Sequence, residues 1–328
     1  MDLKDRLNPS EELSPSEDHE ELPPVTDTMI SVPDTPETVR EKTIMIRAMC
    51  VNTFACMCMQ MNVSSLLPAY IDENYPGINA LQVGVLMAIF PVGFLLAAPA
   101  MGFFAPRIGR KNCLYLGVYV MTVATLCFGL ASFFETPWIF YTVSFVARFV
   151  QGIAQATVNV TSPSIISQEF PNDRPAKLAY INMAMGLGLA LGPVIGSVVY
   201  SLMSYLYTFV FFSAYICVIG TICVYLVPAR INNKPVESAN GSENNPLAAR
   251  MTFRLILTNL RCFSVLFICS FGQIACLVIE PVLSVRLINM GMKESLTGLA
   301  FGLLGGAEMM GANAAGWLGG KFNLRVMQ

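Results

Sequence analysis

Polar and apolar positions along this chain come in long blocks rather than in alternation. Eight apolar stretches, approximately 44–70, 80–105, 113–134, 138–168, 176–201, 204–227, 255–289 and 295–320, are separated mostly by short polar connections. Each is long enough for the roughly 20 apolar residues that carry a helix across about 30 Å of hydrocarbon. A chain of this pattern is expected to be all-α, a polytopic helical membrane protein. One connection is long: PARINNKPVESANGSENNPLAAR is polar and rich in breakers. The pattern therefore divides the chain into a tail (1–43), a six-helix bundle (44–227), a linker (228–254) and two further helices (255–328).

Composition sharpens this picture. Hydrophobic residues make up 54% and charged residues 13%, against about a quarter charged in a soluble domain. Twelve of the 22 acids precede Thr43, in segments such as ELSPSEDHEELPP. Such a stretch has too little apolar surface to offset chain entropy, so a disordered, solvated tail is expected. It lacks the apolar core of a secretory signal.

Basic residues mark one side of the membrane. Arg40, Lys42 and Arg47 precede the first span, and Arg107, Arg110 and Lys111 follow the second. Arg174 and Lys177 follow the fourth, and Arg230, Lys234, Arg250 and Arg254 sit in the linker. The opposite loops of the first six spans carry Asp72, Glu73 and Glu135 instead. An excess of Lys and Arg on the cytosolic side predicts a cytoplasmic N-terminus and a cytoplasmic linker. Which membrane carries the protein, vesicular or plasma, is left open by this pattern.

Several function classes fall away. A net charge of −2 offers no footprint for nucleic acid. The sole histidine, His19, lies in the tail, and no C-x-x-C pair occurs, which argues against a metal centre and against histidine-based catalysis. Span 1 contains ACMCMQM, but residues two apart point about 200° from each other on a helix. Its methionines read as flexible packing, not a soft-metal site. No enzyme activity and no cofactor are expected.

Four patterns carry chemistry. The loop GFFAPRIGRK, Gly102–Lys111, has a weaker copy, GWLGGKFNLR, at Gly316–Arg325, so the chain repeats at the scale of half a transporter. Span 4 places Arg148 in RFVQGIAQA, deep enough that it needs a polar cavity or a partner. Span 5 spaces Gly188, Gly192 and Gly196 four apart beside Pro193, a stripe for close helix packing with a bend. Span 7 contains Glu280–Pro281 and span 8 Glu308 near its middle, where an ionisable group implies function. Span 1 offers only Asn52, Gln60 and Asn62 as polar anchors.

These residues resemble the major facilitator superfamily, and within it the drug:proton antiporter branch. Gly102, Arg107, Gly109, Arg110 and Lys111 match the family's cytoplasmic gate loop, although Pro106 and Gly320 stand where the family has an acid. Arg148, Gln151 and Gly152 match a pattern linked to proton coupling. Gly188, Gly192, Pro193 and Gly196 match the antiporters' Gly-Pro motif, with Ser197 in place of its last glycine. Glu280–Pro281, this motif and SQEFPND together resemble the vesicular amine transporters, the polyamine type most of all.

The resemblance implies two six-helix bundles with substrate between them, of which this chain supplies one bundle and two helices. It implies alternating-access antiport of a small organic cation against protons. Arg148, Gln151 and Glu308 would couple protons, and Glu280, Asn52 and Gln60 would contact the cation. The span-1 acid of the monoamine members is missing here. The chain ends at Gln328, in the loop expected to lead to a ninth span, so either missing helices or a partner protein should cover an open face. Two alternatives stand beside this: a non-transporting membrane protein binding a partner through that face, and a facilitator for a neutral or anionic solute. Small-molecule substrate, protons and the lipid bilayer are the expected partners.

Overall fold

The computed structural model describes residues 36–171 and 173–233, with scattered positions between 258 and 310. Six long helices follow one another: α1 (Pro36–Asn74), α2 (Ala80–Ile108), α3 (Arg110–Leu130), α4 (Pro137–Glu169), α5 (Arg174–Leu202) and α6 (Tyr205–Leu226). A 3-10 turn, Ala131–Phe133, extends α3, and a single turn, α7 (Arg230–Asn233), follows α6. No strand occurs among the described residues. The expected tail before Pro36, most of the linker, and the helices expected at 255–289 and 295–320 lie outside the described residues, apart from isolated positions.

Local chemistry sets the helix ends. Asn79 and Gln82 form a reciprocal capping box at the start of α2, with both hydrogen bonds at 2.9 Å. Pro137 opens α4 at a position where its missing N–H costs nothing. Between α2 and α3 the turn is a single residue, Gly109, whose φ of +99° lies in a region that L side chains rarely adopt. α1 starts well before Thr43, where the apolar run begins. Pro36 and Glu37 suit a first turn, and nothing in EKT interrupts the helix that follows. The linker likewise opens as the helical turn α7.

Five described helices are long and apolar enough to cross a membrane: α1, α2, α3, α5 and α6. α4 has the length, 33 residues, or about 50 Å at 1.5 Å per residue. Its apolar run, however, is broken by Arg148, Gln151, Gln155 and Asn159.

Packing explains why α4 tolerates these residues. α4 lies between α2 and α3, α1 between α5 and α6, and α3 closes the bundle against α6. Exchanging α1 with α4, α2 with α5 and α3 with α6 maps this set of pairings onto itself. That is the arrangement of two nested three-helix repeats.

Glycines set the closest contacts. A Cβ on Gly152 would fall on the Phe90 carbonyl oxygen, and one on Gly93 on that of Phe149, so α2 and α4 touch backbone to backbone. On the symmetry-related α1–α5 pair, Gly188, Gly192 and Gly196 face Met57, Cys58 and Asn62 in turn.

One end of the bundle is closed by rings. Tyr70 stacks on Tyr205 at 3.8 Å and Tyr75 on Phe140 at 4.2 Å, with Phe128 and Phe209 edge to face behind them. The Tyr75 hydroxyl donates to the Phe134 carbonyl at 2.9 Å. These contacts fasten α1, α3, α4 and α6 together at the end opposite Gly109.

Candidate functional site

The polar residues of α4 form one stripe. Arg148, Gln151, Gln155, Asn159 and Ser162 follow at three- and four-residue intervals, which places them on one helix face. Arg148 lies roughly 16 Å along the helix from Pro137 and is only 2% exposed. Its Nη1 donates to Gln151 Oε1 at 3.2 Å, and its guanidinium sits 4.6 Å from the centroid of the Phe90 ring on α2. Gln151 Nε2 donates to Thr125 Oγ1 on α3 at 3.2 Å, and that hydroxyl donates on to the Met121 carbonyl at 2.8 Å.

A guanidinium only donates, so it fixes which way the Gln151 amide points. The result is a directed relay, Arg148 to Gln151 to Thr125 to backbone. Each bond polarises the next inside a low-dielectric bundle.

Gln155 extends the stripe toward α1. Its Nε2 donates to Asn159 Oδ1 at 3.2 Å and lies 4.0 Å from Met57 Sδ. Its Oε1 is buried and accepts no hydrogen bond. A buried amide oxygen left open is costly.

The α1 residues divide. Asn52 is fully buried and shares its stripe with Met45, Met49, Cys56, Met59 and Val63, all in the core. Asn62, also fully buried, lies against Gly196 of α5, where a Cβ would strike its Oδ1. Neither carboxamide makes a hydrogen bond. Gln60 alone of the three is half-buried. Glu280, Pro281, Glu308 and the Gly316–Arg325 copy of the loop lie outside the described residues.

At the opposite end from the aromatic cluster, the Gly102–Lys111 segment is woven into its surroundings. Arg107 stacks on the Phe103 ring at 3.6 Å, and Arg110 Nη1 donates to Gln168 Oε1 at the end of α4. Lys111 N–H donates to Asn232 Oδ1 at 2.9 Å. Gly102 is exposed with open space where a Cβ would sit, and Pro106 stays within the last turn of α2. Arg230 of α7 pairs with Glu41 of α1 at 3.6 Å and with the fully buried Glu169 carboxylate of α4 at 3.4 Å.

Sequence reasoning missed Phe90, Thr125, Gln155, Glu169 and Asn232. Gln155 had a readable signal, because Gln151, Gln155 and Asn159 continue Arg148's helical spacing. Phe90 and Thr125 had none, since they come from other helices. Asn232 sits in a polar segment that reads as plain linker.

Comparison with known proteins points in one direction. A model of the Major Facilitator Superfamily matches residues 49–328. The MFS-type transporter SLC18B1 of Mus musculus is 23% identical over 58% of this chain and 41% of its own length. The probable vesicular acetylcholine transporter-B of Danio rerio is 26% identical over 47% of this chain and 30% of its own. The chain thus spans about two-fifths or less of these relatives. The crystal structure of a D-xylose–proton symporter superposes with a TM-score of 0.63 at 13% identity, covering 85% of this chain and 70% of that one. That likeness shows the fold.

Proposed function

Because the chain belongs to the major facilitator superfamily, as a multi-pass integral membrane protein, we propose that it serves secondary active transport: antiport of a small organic cation against protons by alternating access. The observation that carries this reading is the α4 stripe, where buried Arg148 is followed by the open acceptor Gln155 Oε1 beside α1. A protonated amine brings N–H donors to such an acceptor. A fixed guanidinium nearby raises the energy of holding cation and proton together, which favours exchange of one for the other.

The relative named as an acetylcholine transporter supports an ammonium-type solute. In this reading Arg148 and Gln151, with Glu308, move the proton; Glu280, Gln60 and Asn52 contact the cation. The Gly102–Lys111 segment gates the cytoplasmic side, and the α5 glycines keep α1 and α5 close while Pro193 allows a bend. The basic end of the bundle, with the N-terminus, faces the cytoplasm. A second reading, an anionic solute, is favoured by the charge of Arg148 itself.

Proteoliposomes containing the chain and a trapped pH dye, acid inside, test both. Acetylcholine or spermidine added outside should draw protons out, and Arg148→Gln and Glu308→Gln should abolish that flux. Proton flux no greater than in empty liposomes would sink the antiport reading. Flux driven by carboxylates or phosphates, and not by amines, would favour the anion.

A further inference from the structure

α3 begins with a problem that its own sequence cannot solve. The first N–H groups of any α-helix lack an intrahelical partner, and a Ser, Thr, Asp or Asn side chain at the N-cap ordinarily accepts from the second or third of them. Here the N-cap is Gly109, which makes no side-chain cap bond. Its φ of +99° keeps the α2–α3 turn to one residue.

The missing acceptor arrives from far along the chain. Asn232 Oδ1 accepts from Lys111 N–H, the second of the series, at 2.9 Å across 121 residues. A backbone N–H only donates, so this bond fixes the orientation of the Asn232 carboxamide. Its Nδ2 donates to Asn112 Oδ1 at 3.1 Å, and Asn112 Nδ2 donates to the Ile108 carbonyl at 3.2 Å. One side chain thereby reaches the start of α3 directly and the end of α2 through Asn112.

The fit is close. A Cβ on Gly109 would lie 2.7 Å from Asn232 Oδ1 and 2.8 Å from its Cγ. Gly109 therefore serves two needs, the positive φ and the space for this carboxamide. α7 is in turn held by Arg230, which bonds Glu41 and Glu169. Residue 234 follows immediately, where the linker continues.

We propose that Asn232 is a positioning residue: it caps α3 from outside and holds the Gly102–Lys111 segment in place, fastening the start of the linker to the gate. This rests on the transport reading for the word gate, but not for the cap. Arg230 ties α7 to α1 and α4, and Asn232 ties it to the turn at Gly109.

Hydrogen–deuterium exchange on the whole chain in nanodiscs tests the cap without any substrate. Asn232→Ala should speed exchange of Lys111 and its neighbours about tenfold, the scale of a lost cap, while peptides of α5 and the aromatic end stay unchanged. Asn232→Asp, which keeps the acceptor, should hold Lys111 close to the parent rate. Asn112→Ala, remote from the bundle core, should loosen the 107–109 side alone, and it serves if Asn232→Ala folds poorly. An unchanged Lys111 rate in Asn232→Ala overturns the proposal, as does faster exchange spread equally through the bundle in both Asn232 variants.

If amine-driven proton flux is found, it should fall severalfold in Asn232→Ala and persist in Asn232→Asp. Undiminished flux with a loosened loop would remove the gating role. If the parent shows no flux, the antiport reading fails and the exchange result stands on its own.

Discussion

Replacing Gly152 with alanine places one methyl group where α2 and α4 meet backbone to backbone. The new Cβ would fall on the Phe90 carbonyl oxygen and lie 3.0 Å from Phe94 N and 3.1 Å from Phe90 C. Ordinary contact begins at 3.4 Å. All three obstacles are backbone atoms of a helix, so no side chain can rotate away; the helices must part by about 1 Å. A gap of that size forfeits a quarter to a half of each contact's attraction, and overpacking of this kind costs about 1–3 kcal/mol.

The same movement carries the Phe90 ring away from Arg148, which sits 4.6 Å from its centroid, a contact worth about 0.5–2 kcal/mol. The sum, about 1.5–5 kcal/mol, corresponds to a fall in melting temperature of about 3–20 °C for a bundle of this size. A thiol-reactive dye reads it directly, because Cys56, Cys58, Cys113 and Cys223 are buried and free. Gly84→Ala is the control, since nothing lies within 4 Å of its Cβ position, and it should melt no lower than the parent. If Gly152→Ala melts within about 2 °C of the parent, the backbone contact between α2 and α4 is not what the packing argument claims.

Three further outcomes follow from the same geometry. Arg148→Lys keeps the charge but loses the planar stack on Phe90 and the fixed donor to Gln151, so amine-driven proton flux should drop about tenfold or more. Arg230→Met leaves the buried Glu169 carboxylate without this partner and should cost about 1–3 kcal/mol in denaturation; Glu41→Gln, at the exposed arm of the pair, should cost under about 0.5 kcal/mol. Burial, with Tyr70 beside it, pushes the Tyr75 phenol up to about 12. The folded state therefore holds this proton after the unfolded chain has lost it, and its contribution, whole below pH 10, is lost as pH rises toward 12. Thermal melts at stepped pH should show stability falling in that window, and Tyr75→Phe should flatten the fall while lowering the plateau by about 1 kcal/mol, the worth of the bond to Phe134.

The amino-acid sequence by itself determined the six helices of the bundle, because a span needs a long apolar run and each of these helices has one; the runs at 255–289 and 295–320 lie outside the described residues. The boundaries expected for the second to sixth spans match α2–α6 to within a few residues. α1 begins earlier and α7 exists because polar residues also form helix when neighbouring elements supply partners, as Glu41 and Arg230 do for each other. Arg148 and Gln151 were legible for the same one-dimensional reason: a charge and an amide inside an apolar run stand out wherever they point. The close packing of the α5 glycines was legible as a stripe.

Only the tertiary structure decided what each stripe meets. Asn52, Gln60 and Asn62 look alike in sequence, yet two are fully buried in the bundle and one stays half-buried, since helix period gives relative angle and not absolute facing. Phe90 and Thr125 entered the Arg148 relay from α2 and α3, and Asn232 reached Lys111 from 121 residues away. Periodicity records what lies three or four residues off. A hydrogen bond between distant segments leaves no such trace, and it exists only once the folded bundle has brought both ends together.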